Sequence, residues 1–145
     1  MGVKELLRKH RRIALDTSIF IAVFAQEPLG EKIVPIIEAA ADKGTHELIT
    51  SVLAFAECAV KPYQEGNWPA LDQVKLMFQM PNLKVYPMDE IIAEEAARLR
   101  AVYKCKMPDA IIVATAIIHG AEVFLTNDPH LRTITEIPMI TLDQL

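Results

Sequence analysis

Lys106-Met107-Pro108-Asp109-Ala110-Ile111-Ile112-Val113-Ala114-Thr115-Ala116-Ile117-Ile118-His119-Gly120, followed by Ala121-Glu122-Val123-Phe124-Leu125-Thr126-Asn127-Asp128-Pro129-His130, is the stretch whose reading decides the fold. From Ala110 to Ile118 every residue but one threonine is apolar, so a helix here has no polar face and must lie between other elements. Pro108 suits its first turn, where a missing N–H is harmless, and Gly120 suits its end. The short apolar run Ala121–Leu125 then reads as a strand closed by a turn. A buried helix feeding a short apolar strand is a unit of a parallel α/β sheet. Ligands of such sheets collect beyond the carboxyl ends of the strands, where Asp128 falls. Asp109 falls in the first turn of the buried helix, near the positive end of its dipole. Taken singly, both acids have a plain reading, Asp109 as a dipole-compensating carboxylate and Asp128 as a helix cap before proline.

Working outward, Ile13-Ala14-Leu15 reads as a buried strand that ends in Asp16-Thr17-Ser18, a capped junction into the apolar run Ile19–Phe24. Pro28 to Asp42 reads as one helix with Ile33, Ile36, Ile37 and Ala40 on a face, stopped by Gly44. His46–Thr50 is a second strand, and Ser51 caps a helix on which Leu53, Glu57 and Val60 share a face. A carboxylate there needs a partner or must reach water from the rim, because an unpaired buried charge is costly. Lys61 to Pro69 reads as a turn-rich connector and Ala70 to Met80 as a helix presenting Leu71, Val74 and Phe78. Leu83–Tyr86 is a third strand, Asp89 a cap, Ile91 to Val102 a helix, and Ile137 to Leu142 a last strand. Residues 1–12 form a basic N-terminal extension permitting a short amphipathic helix, and its run Arg8, Lys9, His10, Arg11, Arg12 is either a solvated segment or a contact for RNA or a partner.

The 145 residues suit one domain with a real core. Although 52% are hydrophobic, no apolar run is long enough for a membrane span, and no signal peptide is expected. Cys58 and Cys105 have no metal or redox spacing and read as small buried residues of a cytoplasmic protein. A net charge of −4 does not suggest a nucleic-acid binder unless the excess acid is gathered where metal ions neutralise it.

Four acids occupy comparable positions: Asp16 after the first strand, Glu57 on the helix after the second, Asp109 opening the buried helix and Asp128 after the fourth strand. A parallel sheet delivers all four to one edge, within a few ångströms of one another. Their repulsion calls for a divalent cation, and all-oxygen ligands point to Mg²⁺ or Mn²⁺. Such ions activate water against a phosphodiester, and no nucleophilic side chain is then required. None is evident: there is no Gly-x-Ser-x-Gly elbow, His-Glu-x-x-His helix, phosphate loop or dinucleotide fingerprint.

In order, Leu15-Asp16-Thr17-Ser18, Phe55-Ala56-Glu57, Lys106-Met107-Pro108-Asp109-Ala110 and Leu125-Thr126-Asn127-Asp128 resemble the motifs of the PIN-domain ribonucleases, most closely the VapC-type toxins of toxin–antitoxin pairs. The resemblance covers roughly residues 13 to 142. It implies a three-layer α/β/α fold with a parallel sheet of strand order 3-2-1-4-5, and a single PIN domain over residues 1–145. It carries the metal-binding and catalytic acids onto Asp16, Glu57, Asp109 and Asp128, with Thr17, Thr126 and Asn127 shaping the site. It further implies Mg²⁺-dependent endonucleolytic cleavage of RNA, with Mn²⁺ able to substitute, together with an antitoxin partner and a homodimer. Arg8, Lys9, Arg11 and Arg12 precede the usual start of the family and stand as a further contact surface. A phosphoacceptor receiver wants paired acids at the first strand and Lys-Pro after the last, and an aspartyl phosphatase wants Asp-x-Asp; residue 18 is Ser and the only Lys-Pro is Lys61-Pro62. A PIN-like module that binds RNA or protein without catalysis remains the alternative, although all four acids are present.

Overall fold

The strands that carry the fold are short and apolar, and the computed structural model, which describes residues 1–145, joins them into one parallel sheet in the order β3-β2-β1-β4-β5. In chain order the elements are α1 (Val3–Lys9), β1 (Arg12–Leu15), α2 (Thr17–Phe24), α3 (Val34–Ala41), β2 (Glu47–Ser51), α4 (Val52–Glu65), α5 (Trp68–Phe78), β3 (Leu83–Tyr86), α6 (Glu90–Tyr103), α7 (Met107–Ile118), β4 (Val123–Thr126) and β5 (Met139–Thr141). Strand β1 lies in the middle, with Ala14 opposite Ile49 of β2 and Phe124 of β4. All four residues of β4 and the last three of β1 are buried, as a sheet covered on both faces demands. Among the helices, α2 packs against α4, α4 against α5, and α6 against α7. The chain leaves β1 in one direction and returns through β4 on the other side, so the crevice between their carboxyl ends is the switch point of the sheet.

Helix α7 is buried through Ala110, Ile112, Val113, Ala114, Thr115 and Ala116, as its uniform apolarity requires. The hydroxyl of Thr115 donates to the Ile111 carbonyl at 2.7 Å, so the one polar side chain in the run is satisfied within its own helix. Phe124, Ile13, Ile49 and Leu99 are fully buried in the same core, where truncating a large side chain costs about 2–5 kcal/mol.

Three stretches differ from the sequence reading. Residues 28 to 42 are not one helix: Pro28–Ile33 is a 3₁₀ turn and α3 starts at Val34, because Pro35 has no N–H to continue a preceding helix but fits a first turn. Lys61 to Pro69 is not a connector: α4 continues through Pro62 to Glu65, Gly66 turns it off in the left-handed region (φ 60°), and Asn67 caps α5. On α4 the buried residues are Ala54, Cys58, Ala59 and Pro62, so the inward face is rotated by about one residue from Leu53, Glu57 and Val60. Val60 is half exposed and Glu57 lies at the rim. The N-terminal segment is attached by Leu6, which is wholly buried, and by Arg12, which already belongs to β1.

Candidate active site

Asp16 ends β1 and begins α2, and only 5% of it is exposed. Its Oδ1 accepts the N–H of Thr17 at 2.9 Å, the N-cap bond that the Asp-Thr-Ser junction predicts. Its Oδ2 accepts two hydroxyls, Ser18 at 2.8 Å and Thr126 at 2.7 Å. Burial pushes the Asp16 carboxyl upward, those hydrogen bonds pull it back toward the ionised form, and the charge of Asp128 pushes it up again.

The side chains around Asp16 tie the neighbouring segments to it. Thr17 gives its hydroxyl to Glu57 at 2.7 Å, which links α2 to α4. Ser18 donates to Asp16 and accepts the N–H of Asn127 at 2.8 Å, and Thr126 donates to Asp16 and accepts the N–H of Asp128 at 3.0 Å. Asp128 in turn caps the 3₁₀ turn Pro129–Thr133 through the N–H of His130 at 2.9 Å. The turn after β4 is thus pinned to the end of β1 by hydroxyls that also hold the buried carboxylate.

Asp109 stands apart in one respect. It is half-buried in the first turn of α7, and no side chain or N–H donates a hydrogen bond to its carboxylate. Burial pushes it up to about 6, and the charges of Asp16, Asp128 and Glu57 push the same way, with Lys106 the one opposing charge among the causes. The four acids therefore share one edge of the sheet and feel one another's charge. Their packing is looser than expected, because no group of three His, Cys, Asp or Glu side chains is arranged to hold a metal ion directly. A hard cation that takes one or two carboxylates and keeps several of its waters fits that donor set. Neither thiol favours the thiolate that a softer metal would take: burial pushes Cys58 up to about 12 and raises Cys105, which borders Asp109, as well.

Arg8, Lys9, Arg11 and Arg12 are not brought to this edge. Arg12 starts β1 while Asp16 follows its end, about 13 Å away at ~3.3 Å per strand residue. Lys9 pairs with Glu5 at 2.8 Å, Arg11 donates to the Leu7 carbonyl at 3.1 Å, and Arg12 caps α7 through the His119 carbonyl at 2.8 Å. Ser18 belongs to the site as well as to the cap, through its bonds to Asp16 and to the N–H of Asn127. Its signal was present in the Asp-Thr-Ser triplet, but a second hydrogen bond to residue 127 is a property of the assembled sheet.

The fold and the acids at its edge define an α/β/α domain with a 3-2-1-4-5 parallel sheet and an acidic centre at the switch point. The model of the PIN domain matches residues 13–137, and the chain belongs to that family. No curated protein sequence matches it. Among solved structures it is similar to VapBC2 from Rickettsia felis, bound to a DNA fragment from its promoter, at a TM-score of 0.74 and 15% identity over 90% of this chain and 98% of that one. A toxin–antitoxin complex from Klebsiella pneumoniae aligns at a TM-score of 0.68 and 24% identity, covering 92% of this chain and 99% of that one. VapC20 from Mycobacterium tuberculosis, a toxin that cleaves the sarcin-ricin loop, aligns at 0.60 and 15% identity over 77% and 86% of the two chains. Likeness at these identities establishes the fold. No helix of the chain is long and apolar enough to cross a membrane.

Proposed function

We propose that this chain is a Mg²⁺-dependent endoribonuclease and the toxin of a toxin–antitoxin pair. The observation that carries the reading is Asp109, a half-buried carboxylate with no hydrogen-bond donor, facing three further acids. In this reading Asp16, Glu57, Asp109 and Asp128 would hold Mg²⁺, one or two of them directly and the others through its waters, with Mn²⁺ able to take its place. When bound, the ion supplies an activated water and positive charge facing the leaving oxygen of the phosphodiester.

The remaining work falls to the protein. Thr126, Ser18 and the Thr17 N–H hold Asp16 in one rotamer and favour its ionised form. Thr17 orients Glu57, and the pinned turn fixes Asp128. Preorganisation of this kind matters because misplacing a reacting group by about 1 Å can cost ~100-fold in rate. The family membership and the likeness to VapC toxins support the substrate class and an antitoxin partner, and a homodimer belongs to the same reading.

The test is incubation of the purified protein with structured and unstructured RNAs in Mg²⁺, Mn²⁺ or EDTA. Cleavage is expected with either ion and not in EDTA, and is expected to disappear in Asp16→Asn. Cleavage that survives EDTA, or that Asp16→Asn retains, refutes the assignment. Expression is expected to arrest growth and Asp109→Asn to relieve the arrest; equal toxicity of the two forms counts against a toxin.

A further inference from the structure

The acidic edge has two unequal flanks. On one, Glu57 borders an apolar groove lined by Ile21, Phe24, Pro62 and Val74. On the other, Asp109 and Asp128 line a cleft of about 410 Å³ between the α6–α7 junction and the turn that follows β4. Tyr103, Lys104, Lys106 and His130 share that lining.

Both lysines are exposed, and neither ammonium takes part in an ion pair. In a chain of net charge −4, two uncommitted cations stand beside the acids that most need a counter-charge, yet they do not close on those acids. Lys104 holds its place at some cost: it ends α6 with φ 56°, in the left-handed region where glycine is the easier residue. The ring of His130 is 89% exposed at the mouth of the cleft, and Tyr103 is half-buried. A cavity of this volume is on the scale of a small-ligand pocket and is too small for a nucleic-acid duplex.

Resting on the nuclease reading, we propose that this cleft is the track for single-stranded RNA on one side of the cut, with Lys104 and Lys106 each meeting a backbone phosphate. The phosphates supply the charge that the lysines lack, and the carboxylates beyond them keep the strand from sliding deeper unless a cation is present. Unpaired bases on that side can stack on the exposed ring of His130, which a duplex would not allow. The groove beside Glu57 has no such unpaired pair of cations, so the two flanks of the cut are read differently.

The experiment uses the double variant Lys104→Gly/Lys106→Ala, in which glycine suits the left-handed backbone and the fold is undisturbed. Lys84→Ala, on the exposed side of β3 at the far end of the sheet, is the control. Binding of a labelled single-stranded RNA decamer is measured in EDTA over a range of salt, alongside a duplex of the same sequence and an oligoglutamate peptide. The double variant is expected to bind the single strand about tenfold more weakly, with a salt slope smaller by about 1.4, two contacts at ~0.7 each. The duplex is expected to bind poorly to every form. Unchanged RNA affinity and slope, with wild-type cleavage in Mg²⁺ intact, overturns the cleft and leaves the nuclease reading standing. Lysine-dependent RNA binding without cleavage in any metal keeps the cleft and sinks the nuclease reading. Unchanged RNA binding with loss of the peptide marks a protein-docking site and refutes the RNA track. A wild type that neither binds nor cuts RNA refutes both.

Discussion

The hydroxyl of Thr126 donates to Oδ2 of Asp16 at 2.7 Å while accepting the N–H of Asp128 at 3.0 Å, joining two acids that are far apart in the chain. One small side chain thereby favours the ionised form of a buried carboxylate, against the burial that raises it, and fixes where the next one sits. Thr126→Val keeps the shape and removes both bonds. It is expected to cost about 1–3 kcal/mol in urea unfolding, the penalty for stripping a buried polar group of its partner. Because the lost bond favoured the ionised form of Asp16, the acid limb of the pH–rate profile is expected to move to higher pH. An unmoved limb would show that Asp16 does not govern it.

Asp109 gives a prediction of opposite sign. Its carboxyl is raised from 3.8 to about 6 in the folded chain, so the native state binds the extra proton. The corresponding stability is complete below the unfolded value and is lost as pH rises through about 6. Asp109→Asn removes the charge without changing the shape. The variant is expected to melt above wild type at pH 7.5 and to converge with it near pH 4, while RNA cleavage falls at least ~100-fold, as for loss of a group that stabilises the transition state. A variant that melts below wild type at pH 7.5 contradicts the proposed repulsion.

Metal addition tests the same repulsion without mutation. A ligand that binds only the native state stabilises it by about 2.7 kcal/mol at 100 times its Kd. Mg²⁺ is expected to raise the melting temperature more at pH 7.5, where Asp109 is ionised, than at pH 5, where it is largely protonated. In Asp16→Asn and Asp109→Asn the rise is expected to shrink or vanish. A rise equal at both pH values and in all three proteins would place the ion elsewhere.

Gly30 is required by space. A Cβ built there would stand 2.5 Å from the carbonyl oxygen of Ala22 and 2.8 Å from its carbon, both backbone atoms that cannot rotate away. Gly30→Ala is expected to destabilise the chain by about 1–3 kcal/mol, the usual cost of overpacking. Specific cleavage per folded molecule is expected to stay near wild type, because Gly30 touches no acid of the site. A melting curve superimposable on wild type would mean that α2 and the following 3₁₀ turn can separate freely.

Much of this is legible in the amino-acid sequence. Helix α7 announces itself because every turn is apolar, and α5 because Leu71, Val74 and Phe78 keep helical spacing and are all buried. The strand order came through the motifs, since periodicity alone carries no information about which short apolar strands are neighbours. Helix α4 was harder. Its inward face is made of Ala54, Cys58, Ala59 and Pro62, whose small side chains hardly outweigh Leu53 and Val60 in a hydropathy pattern. The run Lys61–Pro69, which reads as a turn-rich connector, conceals the last turn of that helix. At the site, the positions of Asp16, Glu57, Asp109 and Asp128 could be read from the chain, but the bond from the Asn127 N–H to Ser18 and that from Thr126 to Asp16 could not, because they span 109 and 110 residues.

The middle position of β1, paired on one side with a strand that follows it and on the other with one near the far end of the chain, has a consequence for synthesis. A polypeptide emerging from the ribosome displays Asp16 early but has no Thr126 or Asp128 to complete the centre until nearly all of it has been made. Products that stop short of Thr126 therefore lack the hydroxyl and the acid that complete the centre around Asp16, and in the nuclease reading cleavage begins only once the finished chain is released.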